Sequence, residues 1–479
     1  MKTISLATFR KLKKDKQRIL FYGEMPIGSL TPHQAYNALR SNGQFSVIFE
    51  MLEEEEAESY SFIGTKPIAT FESTNRQTHI DIQGVKKNWK GPPFTLLRKF
   101  IHQFRPATPI KHPLRSDALF GFCAYDSVRL TKKLPDQHPN KNHIPDLYFH
   151  FFETVILFDH TRKNLCIALN IDAAQTDYQE ACQRLEETLR VIKAQFKESK
   201  LSNRKKKLKV SEEMSDSEYI KKVKIAQKHI TAGEITQIVI SRTFKAPYKG
   251  SPFKLYCILQ KINPSPYSYL FEAKNFSMMG ESPEKLVSVK KGIVETVPVG
   301  GTHPRDPLKG DAAVARQLLS NPKEVGEHML KMEVGYEDIA KVSKPGTVKI
   351  TELRGTRIFS HVIHIVTRIK GVLSKDRDCF DAIQSILPAA TLSGSPKKRA
   401  MELIDEFEKS RRGIYGGAIC LVDPELNLES CIPIRSIFIK DGVANVRAGA
   451  GIVAPSDPLY EANETRHKSA AALKALTYV

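Results

Sequence analysis

Apolar positions in the first part of the chain gather into short strand-like runs at Phe45 to Phe49, Tyr60 to Ile63, Ala118 to Ala124, Leu147 to Phe158 and Leu165 to Ile171. Between them, apolar residues recur at helical spacing over Pro32 to Ser41, Phe94 to Phe104 and Tyr178 to Phe196. Further on, Ser215 and Glu218 are spaced as a capping box, Ile220, Val223, Ala226 and Ile230 form one stripe, and Gly233 marks the stop of a helix. A strand over Thr236 to Phe244 follows directly. Further strand-like runs are Ser277 to Met279, Leu286 to Val289, Ile293 to Val299, Thr347 to Thr351, Gly417 to Val422, Ile432 to Ile439 and Val443 to Ala448. Helices are expected at Pro322 to Lys341, Phe380 to Leu387, Pro396 to Phe407 and Pro458 to Leu476. Strands succeed strands, helices intervene irregularly, and no internal repeat is evident. This order predicts an α+β fold with large antiparallel β-sheets flanked by helices, not a parallel doubly wound sheet.

The stretch KESKLSNRKKKLK (Lys197 to Lys209) carries seven basic residues and no strong periodicity. It divides the chain into an N-terminal region 1–196, a basic linker 197–210 and a second region 211–479. The 479 residues and 41% hydrophobic content suit a large soluble core, whereas the net charge of +20 is unusual. Such a charge suits nucleic acid, an anionic small substrate, an acidic partner subunit or a solvated basic surface. No zinc-finger spacing, aromatic-basic strand-binding motif or recognition helix supports nucleic acid. Seven cysteines without a CxxC motif or paired framework fit a reducing cytoplasm. Met1 to Arg18 lacks the apolar core of a signal peptide, and Leu147 to Phe158 is too short to span a bilayer.

Two glutamate pairs, Glu324/Glu327 and Glu461/Glu464, each lie three apart, so both carboxylates of a pair emerge on one helix face. If the helices meet, four carboxylates can hold Mg²⁺ against an acidic substrate. Each pair also has a plain structural reading: Glu324 closes a capping box after Asn321-Pro322, and Glu464 pairs with Lys468 at i,i+4. Four further segments stand out. Gly300-Gly301-Thr302 and Gly449-Ala450-Gly451 follow strand-like runs and offer backbone amides. Asn263-Pro264-Ser265-Pro266-Tyr267 is a stiff turn, and Thr391 to Lys397 sets hydroxyls, glycine and lysine ahead of a helix. Each is also readable as a tight turn and nothing more.

In this order the segments resemble the chorismate-utilising enzymes, a family that includes anthranilate synthase component I, aminodeoxychorismate synthases and isochorismate or salicylate synthases. The resemblance spans roughly Ser215 to Leu476 through LPAATLSGSPKKRAMELIDEFE (Leu387 to Glu408), RRGIYGGAI (Arg411 to Ile419), RAGAGIVAPSDP (Arg447 to Pro458) and HVIHIVT (His361 to Thr367). The first half resembles the anthranilate synthase N-terminal region more loosely, through YSFIGTKP (Tyr60 to Pro67) and GFCAYDSVRL (Gly121 to Leu130). The resemblance implies that Glu324, Glu327, Glu461 and Glu464 surround a Mg²⁺ bound to the ring carboxylate of chorismate. It implies that Arg435, Tyr415 and the amides of Gly449, Ala450 and Gly451 hold the enolpyruvyl carboxylate. Gly301, Thr302 and Thr391 border the substrate, and Lys468 pairs with the glutamates or the substrate.

Members of the family attack C2 of chorismate as the C4 hydroxyl leaves, and Glu284 matches the acid that protonates the departing oxygen. Members that use water carry a lysine base where this chain has Gln237, a neutral amide that cannot deprotonate water; the resemblance therefore implies ammonia. Aminodeoxychorismate synthases carry a nucleophilic lysine in Pro-Ile-Lys-Gly-Thr, where this chain reads Pro298-Val-Gly-Gly-Thr302, with Gly300 in the lysine's place. His364 matches the histidine linked to pyruvate elimination. No cysteine lies in a glutaminase nucleophile turn, so the expected partner is a separate glutamine amidotransferase subunit, in a hetero-oligomer.

Several motifs depart from the family. The Leu-Leu-Glu-Ser effector motif becomes Ile48-Phe49-Glu50-Met51, and Ser268 follows Asn263-Pro264-Ser265-Pro266-Tyr267 where methionine is usual. Glu50, Met51, Asn263, Pro264, Ser265 and Tyr267 thus form a candidate effector site with an altered lining. The usual Leu-Val-Asp-Leu-x-Arg-Asn-Asp becomes Lys331-Met-Glu-Val-Gly-Tyr-Glu337-Asp338, and His303 interrupts Gly-Thr-Arg-Pro-Arg. Anthranilate is the expected product. Aminodeoxychorismate, or an aminated intermediate that keeps its pyruvyl group, is the alternative, and a catalytically degenerate regulatory or nucleic-acid-binding protein is the reading from another class.

Overall fold

The computed structural model describes residues 1–14, 18–40, 45–52, 59–104, 116–172, 174–194, 207–359 and 362–478. Linker positions 197–206 and His361 lie outside them. The fold is α+β, and every strand pairing is antiparallel.

Two strands, Tyr60–Thr74 and Leu147–Asp159, pair along most of their length and are long enough to serve two sheets. Their register slips between Pro67 and Ala69, where proline cannot donate to the ladder. One sheet runs from Arg18–Pro26 through Asn164–Asp172, the two long strands, Ser46–Met51, Tyr267–Glu272, Phe276–Ser282, Ser436–Lys440 and Val443–Ile452 to Gln237–Pro247. The other leaves the long strands through Leu119–Cys123 and continues by Ala418–Val422, Leu428–Cys431, Ser288–Lys290 and Ile293–Thr296 to Val362–Val372. Within each sheet the strands from before the basic stretch form one block and those from after it another, joined where Ser46–Met51 pairs with Tyr267–Glu272 and where Leu119–Cys123 pairs with Ala418–Val422.

An aromatic core that includes Phe49, Phe62, Phe120, Phe122, Phe152, Tyr267, Tyr269 and Phe271 draws on both sheets. Helices Pro32–Leu39, Tyr178–Lys193, Pro252–Ile262 and Pro458–Leu476 contribute to a second core with the first sheet. Helices Pro93–His102, Pro322–Ala340 and Cys379–Ile386 do the same with the second sheet. Among the described residues no helix is long and apolar enough to cross a membrane.

The structure corrects some expected bounds. The run Ile293 to Val299 is two strands, Ile293–Thr296 and Val299–Pro304, because Pro298 interrupts the donors between them. The run Ile432 to Ile439 becomes a strand only at Ser436, after Pro433 and after Arg435, whose φ of 51° departs from strand geometry. Gly300 to Thr302 and Gly449 to Gly451 do not follow strands; they lie inside Val299–Pro304 and Val443–Ile452.

Candidate active site

Residues from six of these elements meet at a cavity of about 570 Å³. Its lining includes Gln237, Glu284, Gly301, Thr302, Glu324, Glu327, His364, Thr391, Tyr415, Arg435, Gly449, Gly451, Glu461, Glu464 and Lys468. Such a volume suits a small molecule. Ala450 lies in the apolar core packed behind this strand, and its side chain does not line the cavity.

The strand Val443–Ile452 pairs with Ser436–Lys440 only as far as Val446↔Ile437, so its edge beyond that point is open toward the cavity. On the cavity face the glycines leave room. A Cβ at Gly449 would lie 3.1 Å from the Tyr415 hydroxyl and 2.8 Å from the Ile240 carbonyl, and one at Gly451 would lie 3.3 Å from Gln237 Nε2. Tyr415 sits between two left-handed glycines, Gly413 and Gly416. Its segment and the glycine strand are joined by buried Glu408, which accepts from Arg412 and from Arg447 Nη2 at 2.7 Å. Arg435 is held beyond the end of its strand, and no hydrogen bond or ion pair joins its guanidinium to any described residue. A half-buried guanidinium with no hydrogen-bond or ion-pair partner among the described residues, beside a tyrosine hydroxyl, is built to receive a carboxylate.

Glu284 lies just after Ser282, whose hydroxyl donates to the Ile432 carbonyl at 2.7 Å. It is 6% exposed, and burial pushes its pKa up to about 7 against the pull of Lys331, Thr391 and the Val299 amide. His364 sits opposite Thr302 in the ladder. Burial, with Arg435 and Lys331 nearby, brings its pKa down to about 4. Its Nδ1 lies 2.9 Å from Thr302 Oγ1 and 3.3 Å from the Gly301 carbonyl, which only accepts; Nδ1 therefore carries the proton and Nε2 the lone pair. Gly301, at φ 69°, forms the bulge that turns Thr302 toward both His364 and Glu324.

Glu324 does not close a capping box. Asn321 caps that helix, and the Glu324 carboxylate accepts from the Thr302 amide at 2.8 Å. Glu327 pairs with Lys331 at 2.6 Å, and Glu464 with Lys468 at 3.2 Å. Burial, with Glu464 alongside, pushes the Glu461 pKa up to about 7. Among the described residues no three His, Cys, Asp or Glu side chains are gathered closely enough to hold a metal in this arrangement. The four glutamates nonetheless line one cavity with oxygen donors alone, which fits a hard divalent ion, and crowded Glu461 and Glu464 are the kind of pair such a charge relieves.

The candidate effector residues come together: Met51 faces Tyr267 and Glu50 faces Ser268 in the ladder, and the Leu52 amide donates to the Pro266 carbonyl. Asn263 and Pro264 line the cavity, and Ser265 packs on the Asn263 carbonyl. Glu50 is buried in the sheet, accepting from Ser61, Tyr256 and Gln260, while Ser268 donates to Glu281 at 2.6 Å. Met51 pairs with Tyr267, whose hydroxyl donates to Glu429. Sequence reasoning missed Lys331 and Arg447 as cavity residues. The spacing of Lys331, four after Glu327, was the signal that it shares the glutamate face.

The chain is similar to known proteins in sequence and in fold. Residues 48–474 match the family described as chorismate binding enzyme. The chain is 38% identical over 428 residues to anthranilate synthase component 1 of Acetivibrio thermocellus, covering 87% of each. It is 31% identical over 492 residues to that of Aquifex aeolicus (strain VF5), covering 99% of this chain and 97% of the relative. The crystal structure of anthranilate synthase component I from Streptococcus pneumoniae TIGR4 superimposes with a TM-score of 0.79 at 28% identity, over 94% of this chain and 99% of that one. With an unpaired arginine, a neutral histidine, a glutamate whose proton affinity burial raises and two glutamate-bearing helices around one cavity, and with that match across most of its length, the chain belongs to the chorismate binding enzyme family.

Proposed function

We propose that this chain is an anthranilate synthase component I: it aminates chorismate at C2 with loss of the C4 hydroxyl, then eliminates pyruvate, in tryptophan biosynthesis in the cytoplasm. The observation that carries the reading is the unpaired Arg435 guanidinium at a cavity whose other lining carries Glu284, Gln237 and His364. Arg435 and Tyr415 hold the enolpyruvyl carboxylate, and the ring lies between Gln237 and Glu284. Bound by Glu324, Glu327, Glu461 and Glu464, Mg²⁺ would supply positive charge for the ring carboxylate. Glu284, protonated up to about pH 7, gives its proton to the departing C4 oxygen as ammonia adds at C2. His364 Nε2 then takes the C2 proton as the C3–O bond breaks, and the enolpyruvyl group leaves to become pyruvate.

Gln237 supports ammonia over water, because a neutral amide can position ammonia but cannot deprotonate water. Lys331 does not replace the missing base: burial opposes its charge, but Glu327, Glu284 and Glu464 outweigh burial and hold its pKa above the ordinary lysine value. Ammonia comes from a glutamine amidotransferase subunit, and the relatives' name, component 1, supports a two-part enzyme. Incubation with chorismate, Mg²⁺ and high ammonium tests the reading. Anthranilate fluorescence is the expected outcome; isochorismate would overturn the role of Gln237, and an aminated product that keeps its pyruvyl group would overturn the assigned product.

A further inference from the structure

We propose that Lys331 is a substrate-binding residue of this cavity, a protein-borne cation that receives a carboxylate of the bound dianion beside Gly300, so that substrate binding survives the removal of divalent cations. The inference rests on the functional reading above, which supplies the dianion.

Lys331 is 12% exposed and lines the cavity on the helix that carries Glu324 and Glu327. Its single acceptor among the described residues is Glu327, at 2.6 Å. An ammonium has three donors, so donor capacity remains for a ligand. The path of its stem depends on Gly300, because a Cβ there would lie 2.9 Å from Lys331 Cδ. The glycine and the lysine are thus fitted to each other.

The other cations of the cavity are committed or wet. Arg447 is spent on Glu408, Ser241, Ser410 and the Arg411 carbonyl. Lys468 holds Glu464 and the Gly449 carbonyl. Lys323 is exposed to solvent. Arg435 serves one carboxylate, which leaves Lys331 as the shielded cation for the second. There a charge-assisted hydrogen bond is stronger than at the surface.

Chorismate binding, followed by calorimetry with Mg²⁺ and again in EDTA, tests the inference. The parent protein is expected to bind in both buffers. Lys331→Met is expected to weaken binding in EDTA by about tenfold or more, with the folded state retained by circular dichroism, and Lys331→Arg to restore most of it. Lys331→Met also strands Glu327, so the double variant with Glu327→Gln separates contact from repulsion: binding stays weak if Lys331 touches the substrate. Recovery in the double variant, parental binding by Lys331→Met in EDTA, or a parent that binds with Mg²⁺ alone each overturns the inference and leaves the functional reading standing. A parent that binds chorismate in neither buffer overturns both.

Discussion

Glu284 and His364 face one cavity with opposite proton affinities, the carboxyl pushed up to about 7 and the imidazole down to about 4. Near neutral pH an acid and a base therefore coexist there, each in the form its task needs. The sign for activity follows. Glu284 must be protonated to act, so kcat is expected to hold at mildly acid pH and to fall as pH rises through about 7; His364 adds no acid limb above about pH 5. A kcat profile from pH 5.5 to 9 under saturating chorismate, with free ammonia held saturating at each pH, checks this, and a rise above pH 7 would remove Glu284 as the acid. Glu284→Gln is expected to lower kcat by roughly 10²- to 10⁴-fold while calorimetry finds chorismate bound nearly as before. His364→Ala is expected to accumulate an aminated product that retains its pyruvyl group, visible by mass spectrometry. At this scale most of the cavity was legible, because the motif segments converge on it. Lys331 was not, because its role depends on empty space over Gly300, and a missing side chain in one segment does not announce which other residue fills it.

The glutamate helix Pro458–Leu476 has the bounds its sequence predicts, since Asp457-Pro458 is an N-cap followed by proline at the first helical position. Asp457 accepts from the Tyr460 amide at 2.7 Å and so fixes the turn from which Glu461 projects. Asp457→Ala is expected to cost about 1 kcal/mol in urea denaturation and to weaken Mg²⁺ activation more than chorismate-independent stability alone would explain. Gly449→Ala, with its Cβ 2.8 Å from a backbone carbonyl, is expected to impair substrate affinity and stability together. Edge strands were harder to read. The run Thr347 to Thr351 extends in fact over Lys349–Ile358, where Glu352, Arg354 and Arg357 hide the pattern because, among the described residues, the strand pairs on one side only. Helices Pro252–Ile262 and Asp311–Leu319 went unread, although Ser251-Pro252 carries the same kind of start signal as Asp457-Pro458.

At the level of the whole molecule, periodicity tells which face of a strand is buried but not which strand lies beside it, so the edge-to-edge joining of the two halves was invisible in the sequence. Ser46–Met51 is covered by Tyr267–Glu272, and Leu119–Cys123 by Ala418–Val422. A fragment of residues 207–479 would expose both edges, together with buried Tyr267, Tyr269 and Ile419. Such a fragment is expected to aggregate or to lack a cooperative melting transition by circular dichroism, whereas coexpression with residues 1–206 is expected to restore one. The pairing of Cys123 with Ala418 joins positions about 300 residues apart, which has a consequence in time as well as in space. At ribosomal speeds the earlier strand waits roughly 15 to 60 s for its neighbour to be made. During that interval its aromatic edge must be shielded by something other than its final partner, so the yield of active protein is expected to depend on the rate of translation and the supply of chaperones.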